Sequence, residues 1–162
     1  MDSDTIIAVA ATAIAMGSLW VSYSQTKVAQ LHNRQSVRPI LQIRRIKAYD
    51  GQSAGIRIIN AGLGPAIVTN TVVKLDTENL GQWRGEAHER ISAPLPIRPK
   101  VYSLREGSVI LAGQSTYLIH LDEFDDAQHG WFWDLINRRL MVEVHYESLY
   151  GGEDFNVTLR PR

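Results

Sequence analysis

The sequence predicts a mainly β protein, in which an N-terminal transmembrane helix precedes an antiparallel, immunoglobulin-like β-sandwich with one short helix. Three observations lead to this fold class. Residues 5–26 carry no charged side chain, the chain from Val37 onward alternates apolar and polar residues in short runs, and turn residues separate those runs. We therefore expect residues 1–36 to form a transmembrane anchor helix with a juxtamembrane extension, and residues 37–162 to form the β-sandwich domain.

The uncharged stretch TIIAVAATAIAMGSLWVSYSQT determines where the protein works. As a helix rising about 1.5 Å per residue it reaches roughly 33 Å, and the hydrocarbon core of a bilayer is about 30 Å thick. A cleaved signal peptide is one alternative, because Ala13-Ile14-Ala15 has the small-x-small form of a cleavage site. A core or interfacial helix is another, because several alanines make the stretch weakly hydrophobic. The acidic N-terminus and the lack of a polar face favour a retained span.

The charges on either side of this stretch predict its orientation. Asp2 and Asp4 precede it, and a basic series follows it: Lys27, Arg34, Arg38, Arg44, Arg45 and Lys47. The positive-inside rule places the basic flank in the cytoplasm. We therefore predict a single-pass protein of the bacterial inner (plasma) membrane, with its N-terminus outside and its folded domain in the cytoplasm. The residues predicted to lie at the membrane interface are Trp20, Tyr23, Lys27, Arg34 and Arg38.

Composition excludes several classes of function. The chain of 162 residues contains no cysteine, so it has no disulfide framework, thiolate metal site or cysteine nucleophile. Its formal net charge is zero at pH 7, and its basic residues are concentrated next to the apolar stretch. A nucleic-acid-binding domain is usually basic as a whole. The lipid bilayer is therefore an expected partner, and nucleic acid is not.

The remainder of the chain predicts a series of short strands. RPILQIRRIKAY is the first, closed by a turn at Asp50-Gly51, and GIRIINAG and AIVTNTVVKLD follow. The Gly- and Pro-rich residues 77–100 predict a long excursion with one short helical turn. Two strands then flank Ala112-Gly113-Gln114, and EFDDAQHGWFWDLINRRL predicts a helix or a loop leading into one. A hairpin around Gly151-Gly152 closes the chain.

Four motifs resemble those of a loose group of small bacterial, single-pass, membrane-anchored β-sandwich proteins. They are HNRQSVRPIL after the helix, then NAGLGPAIV, the LAGQS turn and the final YESLYGGEDF hairpin. The resemblance covers most of the chain. Because each motif is a turn or strand feature and the group has no assigned activity, the resemblance implies an architecture and supplies no catalytic residues.

The motif NAGLGPA predicts a structural turn built by Asn60, Gly62, Gly64 and Pro65. A phosphate-binding P-loop would need Lys followed by Ser or Thr after the second glycine, and then a helix. Here Pro65 and a strand rich in β-branched residues follow Gly64. We expect a tight connection between strands in which both glycines adopt positive φ and Pro65 fixes the exit.

The segment HLDEFDDAQHG contains six side chains of metal-ligating type: His120, Asp122, Glu123, Asp125, Asp126 and His129. Carboxylates and imidazoles together can hold a divalent cation, so a metal-dependent enzyme centred on residues 120–129 is one alternative function. The residues match no known ligand spacing. Asp125 and Asp126 also suit the first turn of a helix, where acidic side chains interact favourably with the helix dipole. We therefore expect neither a metal site nor a cofactor.

The segment GWFWDLI is the most apolar part of the domain. On a helix, its large side chains share a stripe with Phe124, and we expect that stripe to cover an open end or face of the sandwich. Trp133 lies at the edge of the stripe and is the candidate for an exposed aromatic anchor. The predicted partner-binding residues are Trp131, Trp133 and Ile136.

The leading hypothesis is a membrane-anchored, cytosol-facing protein-interaction module, an adaptor or sensor without catalysis. Its partner would be another membrane protein, a second copy of the chain or a further protein. A ligand-sensing domain with a pocket near the 77–100 excursion is an alternative from a different class. The sequence contains no G-x-S-x-G or H-E-x-x-H motif that would support the enzyme alternative.

Overall fold

The structure is a computed structural model that describes residues 2–47 and 53–162. The side chains of Thr5 and of residues 31–35 lie outside this description, and so does the turn predicted at Asp50-Gly51. The chain divides into two compact units, Met1–Ser36 and Val37–Arg162.

The first unit is one long helix, α1 (Ser3–Ser36). Its stretch Ile6–Gln30 has 25 residues and a mean hydropathy of 1.8, so it is long and apolar enough to cross a membrane. The hydroxyls of Thr12, Ser18, Ser24 and Thr26 each donate to the backbone carbonyl four residues earlier, which satisfies these polar groups within the helix. The expected N-terminal apolar helix is confirmed.

The second unit contains two antiparallel sheets. The first sheet has the strand order β1-β2-β7-β5, and the second has the order β4-β3-β8-β9, with β6 paired to β3. The strands within the described residues are β1 (Leu41–Ile46), β2 (Ala54–Asn60), β3 (Ala66–Leu75), β4 (Glu78–Gly81), β5 (Lys100–Val101), β6 (Val109–Ile110), β7 (Ser115–Leu121), β8 (Leu140–Glu147) and β9 (Phe155–Leu159). The mainly β class expected from the alternating sequence pattern is confirmed.

Alternation along the strands builds a single hydrophobic core. In β8, Val142, Val144 and Tyr146 are buried, while Glu143 and His145 between them are partly exposed. Buried side chains of both sheets belong to one cluster. Burial of apolar area at about 25 cal/mol per Å² is the main stabilising contribution in such a core.

The 77–100 excursion is more regular than its composition predicts. It contains β4 and a helix of 8 residues, α2 (Gly85–Ser92). Between them, Trp83 is fully buried, and its indole Nε1 donates to the carbonyl of Tyr102 at 2.8 Å. The turn that starts β4 uses Asp76 and Thr77 at φ of 50° and 83°, which carry no glycine signal. The excursion therefore packs into the core through Trp83.

A third helix, α3 (Asp126–Asp134), follows β7 and continues into a π-helical turn, Leu135–Arg139. Asp125 caps it, because its carboxylate accepts from the amides of Ala127 and Gln128. The helix is irregular at His129, whose backbone leaves the helical region. The helix expected in this segment is confirmed.

The antiparallel register gathers the connections at two opposite ends of the second unit. We call the end at which Val37 begins the entry end; it consists of residues 37–40, 60–66, 107–114 and 147–155. The far end consists of residues 75–78, 121–139 and 159–162. The side chain of Asn60 in the first sheet reaches Ile110 of the second, which joins the two sheets at the entry end.

Candidate functional site

A groove at the far end runs along β1 and has a volume of about 580 Å³. We call it the Trp133 groove. Its wall combines one aromatic side chain, one amide and four cations, which are Trp133, Asn137, Arg44, Arg45, Lys47 and Arg162. Three parts of the chain that are distant in sequence therefore meet here: β1, the end of α3 with its π-helical turn, and the segment after β9.

Arg45 is fixed at the base of this groove. Its Nε donates to the carbonyl of Ile136 at 2.6 Å, and its Nη2 donates to the carbonyl of Arg160 at 2.6 Å. Burial lowers the pKa of Arg45 below its usual value, and the nearby charge of Arg162 lowers it further. Two neighbouring cations that repel each other favour an anion between them.

Only one of the four cations has a carboxylate partner among the residues that the structure describes. The ammonium of Lys47 lies 2.6 Å from the carboxylate of Asp126 and 5.4 Å from the centre of the Trp133 ring. Within the same described ranges, Arg44, Arg45 and Arg162 form no ion pair. The groove is therefore electropositive beside an aromatic wall, which suits an acidic ligand with an apolar part.

The structure corrects one of the three predicted partner-binding residues. Ile136 is fully buried in the core, four residues after the buried Phe132 and next to Leu135, so it cannot form part of a surface contact. Trp131 is partly buried, with its ring next to those of His129 and Phe132. Trp133, also partly buried, lines the groove.

The predicted turn NAGLGPA is organised by the fully buried side chain of Asn60. Its Oδ1 accepts from the amides of Ile40 and Gly62, and its Nδ2 donates to the carbonyls of Gly64 and Ile110. All four bonds lie between 2.8 and 3.2 Å. One amide therefore ties three separate segments together at the entry end.

The glycines in this turn are needed for a different reason from the one expected. Neither Gly62 nor Gly64 has positive φ. A Cβ on Gly64 would lie 1.7 Å from the carbonyl oxygen of Val37, and one on Gly62 would lie 2.4 Å from that of Arg38. The prediction of positive φ is thus wrong; the segment 37–40 packs directly against the backbone of the turn, which leaves no room for side chains.

The metal-ligating side chains of residues 120–129 do not converge on one point, because Asp122, Asp126 and His129 each contact different groups. Asp122 bonds to Lys100 and Ser53, while Asp126 bonds to Lys47. Nδ1 of His129 accepts from the amide of Asp125. Across residues 2–47 and 53–162, no group of three His, Asp or Glu side chains could hold a metal ion.

A second, shallower cavity of about 490 Å³ lies on the outer face of the first sheet. It is lined by Arg57, Lys100, Tyr117 and His120, among others. Burial lowers the pKa of His120, and its Nδ1 is buried without a hydrogen-bond partner among the described residues. The sequence did not indicate this cavity, because its residues come from β2, β5 and β7, which are distant along the chain.

The predicted membrane-interface residues lie in both units. On α1, Trp20 and Tyr23 are exposed, and the ammonium of Lys27 lies 4.8 Å from the centre of the Tyr23 ring. Arg34 belongs to the same helix, but its side chain is outside the description. In the second unit, the Arg38 guanidinium lies 4.7 Å from the centre of the Phe155 ring, which fixes it on the surface of the entry end.

Comparison of the chain with models of known protein families and with curated proteins found no match. Its function is therefore inferred from the residues described above.

Proposed function

We propose that this protein is a single-pass protein of the bacterial inner membrane whose cytoplasmic, immunoglobulin-like β-sandwich binds a protein partner and performs no catalysis. The helix α1 supports the anchor, because its stretch Ile6–Gln30 is apolar and fully exposed within the chain. A surface of this kind is costly in water and favourable in lipid. The N-terminus would lie outside the cytoplasm, as the acidic and basic flanks of the helix favour.

The Trp133 groove is the observation that carries the interaction function. Interfaces are anchored by Trp and Arg side chains, and this groove offers both around a volume of about 580 Å³. The cations Arg44, Arg45 and Arg162 favour an acidic segment of the partner, and Trp133 offers a wall for an apolar side chain of the same segment.

The contacts of residues 120–129 support binding over chemistry. Asp122 and Asp126 each neutralise a lysine, and Asp125 caps α3. A catalytic centre would need these side chains to converge on one reacting atom. Instead, Asp125 stabilises the start of α3, Asp126 pairs with Lys47 of the groove, and Asp122 pairs with Lys100 of β5, at the sheet edge opposite to the groove.

Capture of partners from native membranes tests the groove. The tagged full-length chain, solubilised in detergent, is compared with Trp133→Ala and with a control, Tyr102→Ala. Tyr102 is an aromatic residue, 53% exposed, outside the groove. We expect the control to retain the partner and Trp133→Ala to lose it. If both variants co-purify the same proteins as the wild type, the groove is not the docking surface.

A reporter fused after Arg162 tests the orientation. We expect activity from a reporter that works only in the cytoplasm and none from one that works only outside it. Activity of the second reporter would reverse the assigned topology, whatever the result of the capture experiment.

The second cavity favours one alternative, a ligand-sensing domain. The unpartnered Nδ1 of His120 and the cations Arg57 and Lys100 would suit a small polar ligand near the end of the 77–100 excursion. Under this alternative, His120→Phe abolishes the biological output while Trp133→Ala leaves it unchanged. If the protein instead binds a partner through the groove, Trp133→Ala abolishes the biological output and His120→Phe leaves it unchanged.

A further inference from the structure

The exposed apolar side chains of the second unit are concentrated at one end. Among its described residues, 8 large hydrophobic side chains are exposed, and only Ile97 and Tyr102 lie outside the entry end. The other six lie in the connections of the entry end: Ile40, Leu63, Val109, Leu111, Leu149 and Tyr150. Leu63 is 78% exposed and Leu149 is 67% exposed, so both project from the tips of their loops.

These loop tips are held in place by hydrogen bonds. The amide of Leu63 donates to the carbonyl of Arg38, and the amide of Leu111 donates to the side chain of Gln114. The amide of Tyr150 donates to the Ser148 hydroxyl. Because these three amides are already bonded, they add no unsatisfied donor when the tips enter an apolar layer, where each unsatisfied backbone group costs several kcal/mol.

The chain itself connects the entry end to the apolar helix. Val37, the first residue of the second unit, directly follows Ser36, the last residue of α1. The apolar stretch ends at Gln30. At about 1.5 Å per residue, the helix between Gln30 and Val37 spans only about 10 Å, which is comparable to the thickness of the headgroup region.

We propose that the entry end is a membrane-docking surface, whose apolar loop tips insert into the interfacial layer of the bilayer that holds α1. This inference rests on the membrane span of the proposed function and adds a second contact with lipid. The strength of such docking increases with the apolar area inserted and with attraction of basic residues to anionic lipids.

The charges at this end limit docking to a shallow depth. Arg38 is a cation at the surface of the entry end, and it suits the phosphate layer. Asp154 is an exposed acid at the same end and pairs with His145, and the exposed Glu106 directly precedes the entry-end residues 107–114. Acidic side chains are costly in hydrocarbon, so only the tips of the apolar side chains enter the bilayer.

Docking of the entry end orients the groove. The Trp133 groove lies at the far end, opposite the apolar tips within the same unit. A domain that rests on the membrane through its entry end presents the groove to the cytoplasm, where an acidic partner can reach it.

The absence of cysteine allows single-site labelling of the full-length chain. We would reconstitute Leu63→Cys, Leu111→Cys, Ile97→Cys and Ser18→Cys, each carrying an environment-sensitive fluorophore, into vesicles whose lipids carry brominated acyl chains. Each of the first three side chains is at least 47% exposed, so labelling there leaves the core intact. The label at Ser18 is the control for the membrane span. The label at Ile97 is the control for an exposed apolar side chain outside the entry end.

We expect quenching by lipid and blue-shifted emission at Ser18, Leu63 and Leu111, and neither at Ile97. If lipid quenches the label at Ser18 but not the labels at Leu63 and Leu111, the entry end does not dock on the membrane, although α1 still spans it. A blue shift at Leu63 that lipid does not quench means that protein covers the entry end, which also overturns docking. Failure of quenching at Ser18 rejects the span itself, and the docking inference with it.

Discussion

The two ends of the β unit are built from the same strands but differ in the chemistry of their connections. The entry end exposes large apolar side chains such as Leu63, Leu111 and Leu149. The far end carries charged pairs such as Lys47–Asp126 and Arg139–Asp76, and no large hydrophobic side chain is exposed among its described residues. Connections in soluble domains are mostly polar, so the entry end is the one that requires an explanation.

The ends also differ in how they are held together. At the entry end, a buried amide and two glycines in close backbone contact fix the loops. At the far end, a capped helix and several exposed ion pairs cover the sheets. Buried hydrogen bonds and close packing contribute more to stability than exposed ion pairs. The entry end should therefore be sensitive to substitution at its centre, and the exposed ion pairs of the far end should tolerate substitution well.

The largest effect is expected from Asn60→Ala. The substitution removes the partner of two amides, from Ile40 and Gly62, and of two carbonyls, from Gly64 and Ile110. At roughly 1–3 kcal/mol for each buried group left unsatisfied, with partial relaxation, the free energy of unfolding should fall by about 3 kcal/mol or more. Denaturant unfolding of the full-length chain in detergent measures it.

The matched control is Asn156→Ala, on the exposed part of β9. A change within about 0.5 kcal/mol is expected there. Equal destabilisation by the two substitutions would contradict the central role of Asn60.

A glycine pair gives the next largest contrast. Gly64→Ala places a Cβ 1.7 Å from the backbone of Val37, so the free energy of unfolding should fall by about 2 kcal/mol or more. Gly130→Ala, within α3, meets no atom within 4 Å and should raise it by up to about 1 kcal/mol. Thermal unfolding of both variants measures these changes. If Gly64→Ala leaves the stability unchanged, close packing is not the reason that glycine occupies position 64.

Most of the fold could be predicted from the sequence, because strands and helices leave local patterns. The alternation in LMVEVHYE, the Gly151-Gly152 hairpin and the apolar helix are all properties of short segments. The turn at Asp76 and Thr77 lacked such a signal, since its positive φ angles fall on residues other than glycine. That is why β4 and the full length of α2 could not be anticipated.

The sites were less predictable, because they form between distant segments. Position 64 requires glycine because the backbone of Val37 lies too close for a side chain, and no local sequence motif reveals this contact. The groove joins Arg45 to Trp133 and Arg162, and the sequence indicated only the tryptophan. Ile136 was predicted to bind a partner because it belongs to an apolar segment, but the fold buries its side chain in the core, and burial of a single apolar residue depends on packing against distant strands.

A moderate effect is expected when one cation of the groove is removed. Arg162→Gln should weaken binding of the full-length chain to a Glu-rich peptide by about fivefold, since an exposed ion pair contributes up to about 1 kcal/mol. Added salt should reduce the difference between wild type and variant by screening. Fluorescence anisotropy of a labelled peptide measures both. The control is Arg105→Gln, which removes an exposed cation outside the groove and should bind like the wild type.

The smallest effect is a pH dependence at His145. Its two ring nitrogens contact the carboxylates of Asp154 at 3.0 Å and Glu143 at 2.9 Å, and these contacts, led by that to Asp154, raise the pKa of His145 above about 6.5. A group whose pKa is higher in the folded state than in the unfolded state stabilises the fold when it is protonated. This stabilisation is complete at a pH below the unfolded-state pKa, and it is lost as the pH rises through the folded-state pKa. As the pH rises through the folded pKa of His145, the wild type should therefore lose under about 1 kcal/mol of stability, because the cluster is partly exposed and solvent screens its charges.

The variant His145→Gln isolates this contribution, since glutamine does not titrate. Its stability should be lower than that of the wild type at mildly acidic pH and should converge with it at alkaline pH, as measured by denaturant unfolding across the range. Because the pKa of His120 is lowered by burial, protonation of that residue destabilises the fold as the pH falls below about 6.5, which is the opposite sign. If the difference in free energy of unfolding between the wild type and His145→Gln grows with increasing pH, the ion-paired imidazolium at His145 is excluded.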